Sequence, residues 1–167
     1  PVLSPQIVDA NHPFPHLVNK EIYVTASLKM KDKFMFGIVP VPQYVSEVLY
    51  LPGHDIRYIR MEKVIMENLS LVFPQYEVEE PNYIRVTRNG DVSPDDEALE
   101  INDDFRNLMQ QTLHKRRKMS VVRLETAEKL SPGNEKYFCD KFKIKPNQIF
   151  RTKMPMKLGY VFTISGE

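Results

Sequence analysis

The sequence predicts an α+β domain in which a mixed, mostly antiparallel sheet packs with about three helices. Three observations lead there. Short runs of alternating apolar and polar residues recur along the chain, as half-buried strands require. Three stretches between them switch to helical spacing. No repeat, low-complexity tract or flexible linker divides the 167 residues, a length that suits one well-buried core better than two.

Taken in order, residues 1–19 form a proline-rich entry segment and residues 20–167 the α+β domain proper. Pro1, Pro5, Pro13 and Pro15 fix φ and remove backbone donors, so the entry segment is expected to run extended over a surface. KEIYVTASLKM (20–30) alternates, with Ile22, Val24, Ala26 and Leu28 on one face of a strand. KDK is a polar turn into a second strand, FMFGIVPVP (34–42), ended by Pro40 and Pro42; the pair reads as a hairpin. VSEVLYLP (45–52) and, after the PGHD turn, RYIRM (57–61) are the third and fourth strands.

EKVIMENLSLVF (62–73) takes helical spacing through Val64, Ile65, Asn68, Leu69, Val72 and Phe73, and Pro74 closes it. YEVEE (76–80) and YIRVTRN (83–89) are predicted as two strands broken by Pro81. After the NGDVSPDDE loop, the longest helix is expected over about 97–117, with Ile101, Phe105, Leu108, Met109, Thr112 and Leu113 as its apolar stripe. Its acidic start and HKRRK end match the helix dipole. SVVRLETA (120–127) is a strand. Ser131-Pro132 begins a helix that carries Tyr137, Phe138 and Phe142 on one side and ends near Lys145-Pro146. QIFRT (148–152) and YVFTI (160–164) are predicted as the last strands.

With 23 basic and 22 acidic side chains, whole-chain charge supplies no reason to expect nucleic acid or an anionic membrane as partner. Cys139 is the only cysteine, so an intrachain disulfide and a cysteine metal cluster are both ruled out. No apolar run approaches the roughly 20 residues of a membrane-spanning helix. PVLSPQIVDANHP lacks the basic stretch and apolar core of a signal peptide, and no initiator Met stands before it. The expectation is a cytoplasmic protein seen in part.

Candidate chemistry is sparse. In DANHPFPHLVN (9–19), His12 and His16 stand four apart. They would suit zinc on one face of a helix, but Pro13 and Pro15 forbid that helix and no Glu follows His12 as a metalloprotease motif requires. The better reading is a stiff clamp, His12, Pro13, Phe14 and Pro15, that plugs Phe14 and Leu17 into the core. His54 beside Asp55 has the makings of a tuned general base, yet both lie in a turn without a nearby nucleophile. HKRRK is the densest positive cluster. Lys115, Arg116, Arg117 and Lys118 could hold phosphates, since Arg forks match phosphate oxygens, or could simply complement the helix dipole. Arg85 and Arg88, three apart on a strand, should point to opposite faces. Arg123, Arg151 and Lys153 are scattered strand-end cations that could meet in space. With six glycines, no glycine-rich phosphate loop exists, and the carboxylates of VSPDDEALEINDD read as a loop and helix start. No catalytic, cofactor-binding or metal-binding residue is assigned.

Five ordered phrases go further: Pro1 to Pro5, Asp9 to Pro15, Leu71 to Val78, Arg85 to Asp91 and Val122 to Glu125. Together the series resembles the head (middle) domain of the ATP-dependent polyphosphate kinases. The resemblance implies a parent enzyme that transfers the terminal phosphate of ATP to polyphosphate, reversibly and with magnesium, through a phosphohistidine on domains outside this chain. None of His12, His16, His54 or His114 matches that histidine, and His16 and Asn11 depart from the family phrase. The family's ATP and magnesium residues have no counterparts here. The resemblance also implies that the partners are the remaining domains of the same chain and further copies of it, and that the head domain contributes subunit contact and shapes the channel region. The alternative is a polyphosphate-binding module using Lys115 to Lys118; a third reading is a stand-alone adaptor with the head fold. The stripe Tyr44, Val48 and Tyr50 could be interface or core.

Overall fold

The computed structural model describes residues 3–53, 56–89 and 120–164. A six-stranded sheet in the order β1-β3-β2-β6-β7-β8 organises them. Its strands are β1 (Gln6–Val8), β2 (Ile22–Met30), β3 (Lys33–Pro40), β6 (Glu77–Arg88), β7 (Val121–Thr126) and β8 (Ile149–Arg151). Every neighbouring pair is antiparallel except β7 with β8. Among the described residues, strands β4 (Val48–Leu51) and β5 (Arg57–Arg60) pair only with each other, as a separate two-stranded ribbon. The helices are α1 (Met61–Glu67), α2 (Leu69–Val72) and α3 (Pro132–Phe142). The α+β class and the mixed, mostly antiparallel sheet are as the sequence predicts.

Helices lie on both faces of the sheet, so its central strands are buried twice over. Ile22, Val24, Ala26 and Leu28 of β2 share one face, as their spacing predicts, and pack with Ile65, Met66, Leu69 and Phe73 around α1 and α2. The opposite face of β2 is not solvated: Tyr23 joins Phe36, Ile38, Ile84, Val86 and Leu124 beneath Phe138 and Phe142 of α3. Phe138 is fully buried, edge-on to Phe36 at 5.2 Å. Truncating such a ring typically costs about 3–5 kcal/mol. Gly37 of β3 serves the other face, since a Cβ there would stand 2.9 Å from the Phe73 ring. The absent side chain lets an aromatic ring lie on the strand backbone.

Several expected elements are redrawn. Glu77–Arg88 is one twelve-residue strand, not two. Pro81 is tolerated because the β2–β6 register shifts between Thr25 and Ser27, and Glu80 takes a left-handed φ of 47°. A bulge is where a strand can carry a residue with no N–H to give. The 62–73 helix divides at Asn68, whose Nδ2 donates to the Val64 carbonyl oxygen at 2.8 Å and competes with the backbone ladder. Ser131 caps α3 as expected, its Oγ accepting from Asn134 N at 3.2 Å, but the helix stops earlier, at Phe142, with Lys143 left-handed. QIFRT holds a three-residue strand. YVFTI is not a strand: Gly159–Thr163 is a 3-10 turn. The predicted 97–117 helix lies outside the described residues.

Candidate functional site

A cavity of about 350 Å³ opens on the α1 face, where the ends of several elements meet. The entry to β2 supplies Glu21, the exit of β3 supplies Val41, Pro42 and Gln43, and the first turn of α1 supplies Glu62. Glu47 comes from the approach to β4, and Lys157 and Tyr160 from the stretch after β8. Glu21 and Lys157 pair at 2.5 Å. Glu62 pairs with Arg60 at 2.9 Å, and Arg60 Nη2 donates to the Tyr83 hydroxyl at 3.1 Å. Burial pushes the Glu62 carboxyl above its ordinary value, only partly offset by Arg60. Burial likewise raises the Tyr160 phenol, helped by its hydrogen bond with Tyr58.

The lining therefore carries three carboxylates, with Lys157 and the adjacent Arg60 as counter-charges. Its excess is negative. ATP phosphates or polyphosphate would meet repulsion here, and two of the three carboxylates are already engaged, Glu21 by Lys157 and Glu62 by Arg60. Among the described residues no group of three or more His, Cys, Asp and Glu is placed to hold a metal ion. A cationic or amide side chain suits such a cleft.

The entry segment stands apart from it. Asp9 Oδ1 accepts from the backbone N–H groups of Asn11 and His12, both at 2.8 Å, and lies 2.8 Å from His12 Nδ1. The His12 contact, then those N–H groups, hold the Asp9 carboxyl below its ordinary value. This local turn aims His12 at Asp9 and exposes it. Phe14 sits edge-on to Phe142 at 5.3 Å and 6.1 Å from Tyr137, while Leu17 is fully buried. His16 is exposed, its imidazole pushed below its ordinary value by partial burial and then by Arg88.

The other sequence candidates are dispersed. Arg85 turns to the α1 face, where Nε meets Glu125 Oε2 at 2.8 Å and Nη1 reaches the Met156 carbonyl oxygen. Arg88 turns the opposite way and donates to the Leu17 carbonyl oxygen at 3.0 Å. Arg123 stacks over Phe150 at 4.3 Å and lies 3.3 Å from Glu125. Arg151 pairs with Glu128 at 3.0 Å. Phe150 and Arg151 are consecutive in β8, so the two arginines stand on opposite faces and make no common patch. Of the apolar stripe, Val48 is core, whereas Tyr44 and Tyr50 are exposed. His54, Asp55, His114 and Lys115 to Lys118 lie outside the described residues.

Sequence reasoning passed over Glu62, Glu125 and Asn82. Asn82 is 4% exposed, and its Oδ1 accepts from Tyr83 N at 2.9 Å and from Ala127 N and Glu128 N at 3.0 Å. An Asn in mid-strand, just ahead of the apolar pair Tyr83 and Ile84, was the available signal, since strands seldom carry it without a polar task.

Residues 1–164 match the family model described as polyphosphate kinase middle domain. The chain belongs to that family. Polyphosphate kinase of Pseudomonas aeruginosa is 28% identical to it over 174 residues, covering 99% of this chain and 25% of the relative. That of Halalkalibacterium halodurans is 31% identical over 170 residues, covering 98% and 24%. That of Dictyostelium discoideum is 32% identical over 134 residues, covering 78% and 12%. The crystal structure of polyphosphate kinase from Porphyromonas gingivalis shares the fold, with a TM-score of 0.65 at 20% identity over 90% of this chain and 21% of that one. The polyphosphate kinase middle domain thus spans about a quarter of the length of the Pseudomonas relative. No helix among the described residues is long and apolar enough to cross a membrane.

Proposed function

We propose that this middle domain is a non-catalytic head of a cytoplasmic polyphosphate kinase, and that it serves subunit assembly and shapes the channel region. The parent transfers the terminal phosphate of ATP to polyphosphate, reversibly, with ATP, magnesium and the phosphorylated histidine all held by domains outside this chain. The match along residues 1–164 carries the reading. The acid-lined cleft supports it, because its charge opposes binding of the very anions the parent handles. Within the head, His12, Pro13, Phe14 and Pro15 act as a clamp: the Asp9 turn sets the backbone and Phe14 locks against α3.

The test is a phosphate-transfer assay with ATP, magnesium and polyphosphate on the purified domain and on the full chain. Transfer by the full chain alone is expected; turnover by the isolated domain overturns the non-catalytic reading.

A further inference from the structure

We propose that the β4–β5 ribbon is a docking surface for another domain of the same polyphosphate kinase chain, an inference that rests on the reading above. Pairing fixes which side chains share a face: Val48 with Arg60 and Tyr50 with Tyr58 on one, Leu49 with Ile59 and Leu51 with Arg57 on the other. The first face leans on the body, for Val48 is 3% exposed and Arg60 reaches Tyr83. Only the Val48–Arg60 end is covered: Tyr50 at 52% and Tyr58 at 38% stay exposed on the first face, and Leu49 at 48% and Leu51 at 43% on the second, with Ile56 at 63% beside them.

Such a ribbon is costly to leave bare. Two strands alone are marginal in water. An apolar strand with an unpaired edge invites aggregation unless Lys, Pro or a bulge guards it, and VLYL holds none of these. The outer strands of the main sheet avoid the problem by running only three residues each.

The family description and the relatives' length identify the occupant. A middle domain has polypeptide on both sides of it, and this chain makes up about a quarter of the relative's length. Exposed apolar surface also follows the first face beyond Val48: Tyr58 packs on Tyr160 at 5.6 Å, and the turn Gly159–Thr163 exposes Val161 and Phe162. Glu47, exposed at the rim of the acid-lined cleft, sets the chemistry expected of the docking face: aliphatic, with a cationic side chain.

Hydroxyl-radical footprinting of the full-length kinase reads these side chains directly, over a dilution series that takes the enzyme to monomers. Leu49 and Leu51 are expected to be protected about fivefold or more relative to the urea-unfolded chain, at every dilution. In the double variant Leu49→Ser, Leu51→Ser the neighbouring Ile56 and Tyr58 should become oxidised faster while Leu28 in β2 keeps its protection. Protection that vanishes on dilution would assign the surface to a second copy and overturn the proposal, as would oxidation at the unfolded rate throughout. Phosphate transfer by the same preparation separates the two levels. A preparation that transfers phosphate with an unprotected ribbon refutes only this inference. One that is inactive with a protected ribbon leaves the contact standing and refutes the kinase reading.

Discussion

Replacing Asn82 by alanine should destabilise the domain more than any single exposed change. The side chain ties β6 to the chain leaving β7: Oδ1 accepts from three backbone N–H groups and Nδ2 donates to the Glu128 carbonyl oxygen at 3.1 Å. After truncation, Ala127 N keeps a second acceptor, the Tyr83 carbonyl oxygen at 3.1 Å. Glu128 is exposed, so water can reach its N–H, whereas Tyr83 is 6% exposed. One fully stranded donor and one partly rescued donor, at about 1–3 kcal/mol for a buried orphan, give about 3 kcal/mol. For a chain of this size that is a fall of about 6–12 °C in Tm. The assay is urea unfolding followed by far-UV circular dichroism, with an unchanged slope required for comparison. Asn82→Asp is the discriminating variant. It keeps the acceptor but sets a second oxygen against the Glu128 carbonyl, so burial should raise its pKa and its deficit should shrink as pH falls and the carboxyl gains a proton to donate. A loss below about 1 kcal/mol for alanine, or an Asp variant that matches alanine at every pH, would refute the hub argument.

Three further outcomes are expected. Glu125→Ala leaves the half-buried Arg85 without its carboxylate and should cost about 2–4 kcal/mol in the same urea assay, with Arg85→Met, Glu125→Leu together recovering part of the loss. Glu62 has a folded pKa raised above the unfolded value by burial, so it binds its proton more tightly when folded. Its contribution to stability is therefore greatest at acid pH and falls as pH rises from the ordinary glutamate value through the raised one; Glu62→Gln should flatten the unfolding midpoint against pH over that window. Finally, Arg85, Arg123 and Arg151 are each held by a carboxylate. Any polyphosphate affinity of the domain, measured by titration against salt, should therefore vanish in Arg116→Ala, Arg117→Ala, and its survival would move the site elsewhere.

Legibility followed from how local each cause was. The alternation of Ile22, Val24, Ala26 and Leu28 was enough to place one face of β2, because side-chain period is a local property. That the Tyr23 face is buried as well depends on α3, more than a hundred residues on in the chain, whose docking no period reveals. Pro81 read as a break because its missing donor is visible in the sequence, while the opposing shift near Ala26 that accommodates it is not. YVFTI has strand composition but finds no strand to pair with among the described residues; its Tyr160 packs on Tyr58 instead. The candidate cleft was the least legible part. Glu21, Glu47, Glu62 and Lys157 have no common spacing, and only the convergence of four element ends brings them together.

The junction of β6 and β7 has a consequence for engineering. Arg88 faces Val121 in the ladder, and Asn89 N donates to the Ser120 carbonyl oxygen at 2.9 Å, so residues 89 and 120 are held as neighbours. Whatever joins them is a closed loop whose entropy enters stability only logarithmically: for an unstructured joint, halving or doubling its length shifts the balance by about 0.6 kcal/mol. A foreign module inserted at this fastening would therefore add a loop-closure cost that changes only slowly with its length.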